Sequence, residues 1–118
     1  MIEYEIIQKI FENEDFISYN KWFLQSEWKN IEITNFETRG KFLKWENGIW
    51  INGTWRIGDW LDGVWKNGTW EKGTWNNGIW EKGIWKEGYI WNPKTHKHSP
   101  SEVNPNECEW SLSYRKSK

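Results

Sequence analysis

Few side chains in this sequence have both the type and the spacing that chemistry requires. His96 and His98 flank a single residue, and Cys108 follows ten residues after His98. Such a trio invites a metal ion, but zinc takes four well-placed ligands at standard spacings, and no fourth is at hand. The two histidines are therefore expected in a solvated loop, and no metal site is assigned. Cys108 and His96 also imitate a nucleophile with its base, yet no third residue is placed to orient that base. Asp59 and Asp62 would support acid–base work only if they converged in a cleft. The glycines do not cluster as Gly-x-Gly-x-x-Gly or as a Walker sequence. They are five apart with Trp between them, whereas a phosphate cradle needs neighbouring N–H groups. The expectation is a non-enzymatic protein with no catalytic residue and no cofactor.

Whatever these residues do, a repeat positions them. Trp45, Trp50, Trp55, Trp60, Trp65, Trp70, Trp75, Trp80 and Trp85 recur at every fifth position, and Gly follows each by three, from Gly48 to Gly88. Written from the glycine, the unit is Gly-x-Trp-x-x, and repeats take precedence over local patterns. A period of five suits neither regular element. Along a strand the indoles would alternate sides, and on an α-helix each step rotates by about 140°. The indoles share one side only if the chain turns once per pentad, and glycine permits that turn through φ > 0. Asn precedes glycine at 47, 52, 67 and 77, which alone suggests hairpins of type I′. Ile57 holds the same place, and a β-branched residue resists positive φ. A corner with glycine alone at φ > 0 fits every copy. The nine Trp side chains are expected to form the structural core.

The pattern resembles that of pentapeptide-repeat proteins. In that family a large apolar residue at the pentad centre and a small residue two places earlier point inward; Trp and Gly match those positions here. The resemblance spans about residues 31–91. It implies an all-β fold: a β-solenoid built as a right-handed quadrilateral β-helix with four pentads per coil. Twenty residues per coil would stack Trp45, Trp65 and Trp85, with Trp50 on Trp70, Trp55 on Trp75 and Trp60 on Trp80; Ile90 would finish the Trp50 ladder. A coil of three pentads is also compatible with the spacing. The family also includes DNA mimics that act on topoisomerases, a role that wants an acidic surface.

The remaining sequence reads as covers for the solenoid ends, which otherwise expose apolar rungs and strand edges. Residues 1–30 suit an N-terminal helix-and-strand cap. Ile2, Ile6, Ile7, Ile10 and Phe11 fall at helical spacing, and Phe16–Leu24 reads as a strand. Ile31, Ile33, Phe36 and Phe42 would line a degenerate first coil. Residues 92–118 form a Pro-containing loop followed by a strand over Cys108–Arg115, which packs on the last rung or makes a homodimer contact.

Composition bounds the partners. The 118 residues include 16 Lys plus Arg against 17 Asp plus Glu, for a net charge of -1, with 13 Trp and no Ala. Between 45 and 91 there are six acids and five bases, so the basic surplus of a duplex-DNA binder is missing. No apolar run approaches the ~18 residues of a membrane span. A single cysteine suits a reducing compartment, and the acidic start is unlike a secretory signal, so the cytoplasm is expected, including that of an infected bacterial host. With four pentads per coil, outward-facing Val64 and Ile84 share one face with Leu61, and Ile49, Thr69 and Tyr89 share the opposite one beside Ile51. These seven residues are the candidate interaction surface. The function expected is a rigid surface for a protein partner, such as a phage-type inhibitor or decoy of a nucleic-acid-handling host enzyme. A virion or assembly component is the structural alternative. A third alternative, outward-facing Trp binding carbohydrate or single-stranded nucleic acid, leaves no adequate core.

Overall fold

All nine pentad glycines have φ between +122° and +154°, while the residues before them do not enter positive φ. The corners therefore belong to glycine alone, and the Asn-Gly pairs are not type I′ turns. The computed structural model describes residues 3–33 and 43–117. Gly63 shows why no other residue serves. Its φ is +122°, and a Cβ there would collide with the carbonyl oxygen of Gly48 one coil below and approach Trp45 Nε1 within 3.2 Å. The glycine thus permits the bend and makes room for the indole of the preceding coil.

The bends build a β-solenoid of about three turns whose strands form three sheets. Face I contains β1 (Glu27–Glu32), β3 (Asn47–Asn52), β6 (Val64–Trp65) and β9 (Ile79–Trp80). Face II contains β4 (Thr54–Trp55), β7 (Thr69–Trp70) and β10 (Ile84–Trp85). Face III contains β2 (Leu43–Trp45), β5 (Gly58–Trp60), β8 (Thr74–Trp75), β11 (Gly88–Asn92) and β12 (Lys97–Ser101). Parallel pairing sets Trp45 beside Trp60, Trp50 beside Trp65 and Trp55 beside Trp70. One coil is therefore three pentads, fifteen residues, and the cross-section is a triangle rather than the expected square. Backbone bonds hold this register: Lys66 N–H donates to the Trp50 carbonyl at 2.8 Å, and Ile79 N–H to the Gly63 carbonyl at 2.9 Å.

The core follows from the triangle. Trp45, Trp50 and Trp55 meet edge to face, with centroids 5.5–6.2 Å apart and planes at 70–77°. Beyond that coil the edge-to-face contacts run from each indole to the next, from Trp55–Trp60 at 5.7 Å to Trp80–Trp85 at 5.7 Å, with planes at 68–74°. Between coils the rings stack nearly parallel: Trp60 on Trp75 at 4.9 Å and 5°, Trp55 on Trp70 at 5.0 Å and 4°. Seven of the nine indoles are fully buried, Trp80 nearly so, and Trp85 at the last coil is half-buried. The ladders are thus Trp45–Trp60–Trp75, Trp50–Trp65–Trp80 and Trp55–Trp70–Trp85. Ile90, beside Trp75, finishes the first of these instead of the one through Trp50. Offset aromatic stacks and edge-to-face pairs each add about 0.5–1.5 kcal/mol beyond area burial.

Both ends are covered. Helix α1 (Glu3–Phe11) buries Ile6 and Ile10 and leaves Phe11 exposed. The expected strand over Phe16–Leu24 is two short helices, α2 (Glu14–Tyr19) and α3 (Lys21–Leu24). Asn13 caps α2 by accepting the Phe16 N–H at 2.9 Å, and Glu14 and Asp15 sit favourably in its first turn. Aromatic residues favour strands by propensity, but here tertiary burial decides: Trp22 and Phe23 lie over the first triad, Trp22 5.1 Å from Trp55 and Phe23 6.3 Å from Trp45. The strand of the cap is β1, antiparallel on β3, with Asn30 at φ 56° where the register shifts. Ile31 and Ile33 are buried as expected; Phe36 and Phe42 lie outside the described residues. At the other end, the loop expected over 92–107 contains β12, antiparallel on β11. The strand expected over Cys108–Arg115 is instead a bend leading into helix α4 (Leu112–Ser117). Alternation misleads there because Ser111 and Ser113, not Leu112, are the buried residues.

Candidate interaction surface

Fifteen-residue coils re-sort the outward positions. The residue before each Trp stacks as Ile49–Val64–Ile79 on face I, Thr54–Thr69–Ile84 on face II, and Lys44–Asp59–Thr74–Tyr89 on face III. The expected pairing of Val64 with Ile84, and of Ile49 with Thr69 and Tyr89, does not occur because it assumed twenty-residue coils. Ile49, Ile51 and Val64 share face I and are half-buried; Ile79, absent from the expected set, completes their column at 51 % exposure. Leu61 is half-buried at the start of the corner after β5, Thr69 and Ile84 lie on face II, and Tyr89 lies on face III. The indoles themselves point inward, so the surface of outward Trp side chains is not formed by Trp45 to Trp80.

Polar side chains follow the same period. Arg56 and Glu71 pair at 3.2 Å along face II, and Lys66 and Glu81 at 3.6 Å along face I. Both pairs are solvent-exposed and contribute at most about 1 kcal/mol each. Asp59 accepts the Thr74 hydroxyl in the coil above. Asp62 accepts the Gly63 N–H at 2.8 Å, as Asn47 and Asn52 do for Gly48 and Gly53 at 2.9 Å. The two carboxylates weighed for acid–base work are thus engaged in coil and corner bonds, one on face III and one at the corner beyond it.

The three corners differ. Where face III turns to face I, the residue before glycine is Asn47, Asp62 and Asn77; where face I turns to face II it is Asn52, Asn67 and Lys82. Where face II turns to face III it is Ile57, Lys72 and Glu87. Asn and Asp recur at fifteen, which is the signal in the sequence that marks a three-pentad coil. The II–III corner has none of them.

The C-terminal segment finishes what a further coil would supply. Trp60 and Trp65 donate their Nε1–H to the carbonyls of Asn77 and Lys82, at 3.0 and 3.1 Å. Trp45, Trp50, Trp55 and Trp70 leave that nitrogen without a partner in bonding range. Above Trp75 lies β11, which turns back into β12 instead of into a further pentad corner. The Trp75 N–H meets Ser113 Oγ at 3.3 Å, and Ser113 donates to the Gly78 carbonyl at 2.6 Å. Asn106 Nδ2 covers the Trp80 carbonyl. Faces I and III are therefore closed at this end, whereas β10 on face II has β7 as its one neighbour among the described strands.

His98 Nε2 lies 2.7 Å from Asn76 Oδ1, and its ring meets Trp91 edge-on at 5.2 Å. His96 is the turn residue at φ 57°. Cys108 is buried; that burial pushes its thiol up, opposed by hydrogen bonds from the backbone at Trp110, the side chain of Ser101 and the backbone at Ser111. Among the described residues, no group of three or more His, Cys, Asp and Glu is arranged to hold a metal ion. No described helix is long and apolar enough to cross a membrane. The chain matches no family model, no curated protein and no solved structure.

Proposed function

We propose that this chain is a non-enzymatic binding module that offers the outer surface of a rigid β-solenoid to a protein partner. The supporting observation is the aliphatic column Ile49–Val64–Ile79 on face I, with Ile51 alongside it. Its backbone is held by inter-coil hydrogen bonds and its inner side by stacked indoles, so the column meets a partner with little ordering cost. One side of the molecule, 41 by 25 Å in extent, is large enough for the ~800 Å² per partner of a stable interface. In its finer form the module is an inhibitor or decoy acting on a nucleic-acid-handling enzyme in the cytoplasm of an infected bacterium. That form rests on the resemblance to pentapeptide-repeat proteins and carries their DNA-mimic role only if charge is clustered, because the repeat is nearly neutral.

The test is photo-crosslinking in the native host from a reactive residue at exposed position 66, beside the column on face I and unchanged between the two proteins compared. One retained protein, released by Ile79→Glu without loss of folding, supports the reading; equal retention by Ile79→Glu refutes it. An assembly component is the second reading, favoured by the unpaired edge of β10. A discrete monomer or dimer by light scattering, across protein concentrations, argues for the module; open-ended growth argues for assembly.

A further inference from the structure

The II–III corner is the one corner without Asn or Asp before glycine, and three adjoining clefts run along it. One of about 430 Å³ lies on its face II side beside the N-terminal cap, and two of about 240 and 540 Å³ follow one another on its face III side toward the C-terminal end. Lys72 lines all three, and a half-exposed aromatic ring stands on each side of the corner: Tyr19 at the first cleft, Tyr89 shared by the other two. We propose that this corner is a binding groove for an uncharged oligosaccharide, independent of the face I surface.

Charge narrows the ligand first. Arg56 is paired with Glu71 along the groove, and Asp59 with Thr74. Lys72 and Glu87 line the clefts one coil apart, and neither has a hydrogen bond or ion pair among the described residues. A polyanion would meet Glu87 and a polycation would meet Lys72, so neither gains. A neutral polyhydroxyl ligand can use both, accepting from the ammonium and donating to the carboxylate, as charge-assisted bonds.

Spacing narrows it further. Corner residues repeat once per coil, about 4.8 Å apart along the axis. An extended peptide presents side chains to one side every ~6.8 Å and drifts out of step with that repeat. Successive rings of an oligosaccharide lying along the corner would then meet successive coils at Ile57, Lys72 and Glu87. Tyrosine supplies the flat face that stacks on the C–H surface of a pyranose and a hydroxyl for its rim. The open, elongated shape suits a chain lying along the surface better than a small enclosed molecule.

The experiment is backbone amide chemical-shift mapping on the full chain, titrated with cello-, malto-, xylo- and chito-hexaose and with a heparin hexasaccharide. At least one neutral probe is expected to saturate below about 10 mM, with shifts confined to residues 57–59, 72–74 and 87–89. Lys72→Ala and Tyr89→Ala should each weaken that binding about tenfold or more, while Lys82→Ala, the same chemistry at another corner, should leave it unchanged. No response to any neutral probe, shifts away from this corner, equal affinity in Lys72→Ala and Tyr89→Ala, or tighter binding of heparin would each overturn the proposal. Unaltered amide spectra away from the substituted site separate lost contacts from lost folding. Loss of crosslinking in Ile79→Glu leaves this titration untouched, so the two surfaces fail or stand separately.

Discussion

Trp70 occupies the centre of one indole ladder, and replacing it with Ala tests whether the stacks are the source of stability. Its ring lies 5.0 Å from Trp55 below and 5.0 Å from Trp85 above, both within 6° of parallel, and meets Trp65 and Trp75 edge-on at 5.7 and 5.8 Å. It is fully buried. An indole buries about 150–250 Å², which at ~25 cal/mol per Å² is about 4–6 kcal/mol. Compaction of the unfolded chain removes some 10–40 % of that, and release of an N–H with no partner returns on the order of 1 kcal/mol. The cavity left between two rigid rings acts in the opposite direction, so the expected loss is about 3–5 kcal/mol. Trp85 has a single stacking partner and is half-buried, so Trp85→Ala should cost about half as much. Urea unfolding followed by far-ultraviolet circular dichroism gives both values, because a domain with ~5–15 kcal/mol of stability survives either change. A loss below about 1.5 kcal/mol for Trp70→Ala, or equal losses for the two variants, would refute the inward-stack account.

Three further outcomes follow from the same geometry. Gly63→Ala should lose at least ~2 kcal/mol of unfolding free energy, because φ of +122° strains an L side chain and its Cβ meets the Gly48 carbonyl; the same urea titration reads it. Ser113→Ala removes a hydroxyl bonded to both Trp75 and Gly78, and a loss of about 1–3 kcal/mol is expected in thermal or urea melts. Cys108 should react with Ellman's reagent far more slowly than a free thiol, with its rate rising only at a pH above the ordinary thiol range. The sign follows from burial: the folded state holds the proton more tightly than the unfolded chain, so stability falls as pH climbs past the unfolded thiol's pKa, a slope that Cys108→Ala should abolish.

The pentad fixed the corners and the inward indoles from spacing alone, because two residue types at a constant offset leave the chain no other way to share one side. The number of pentads per coil was not legible there, since identical Trp and Gly in every unit carry no phase. The phase sits in weaker positions: Asn47, Asp62 and Asn77 before glycine, Arg56 with Glu71, and Lys66 with Glu81, all fifteen apart. The candidate surface was mis-sorted for that one reason. The caps were less legible because their helices are short: α2 and α3 hold six and four residues. Periodicity over such lengths does not separate helix from strand, and packing on the first Trp triad decides.

The choice of three pentads over four has a physical cause in the indole. Neighbouring rings within a coil sit 5.5–6.2 Å apart, inside the 4.5–7 Å range that edge-to-face pairs prefer. Four rings at that spacing on a square would put opposite centroids about 8 Å apart, the side multiplied by √2, beyond contact for either stacked or edge-on pairs. The axis would then hold a gap running through every coil, and close-packed interiors do not tolerate such voids cheaply. On a triangle the three rings of the first coil all meet one another, and later rings meet their neighbours in sequence edge-on and in the adjacent coil face-on, which fills the axis. Glycine completes the fit, since Gly88 leaves Trp70 Nε1 only 2.9 Å from where a Cβ would stand. Trp and Gly are therefore one solution rather than two preferences: the large ring closes the triangle only where the next coil's corner has no side chain.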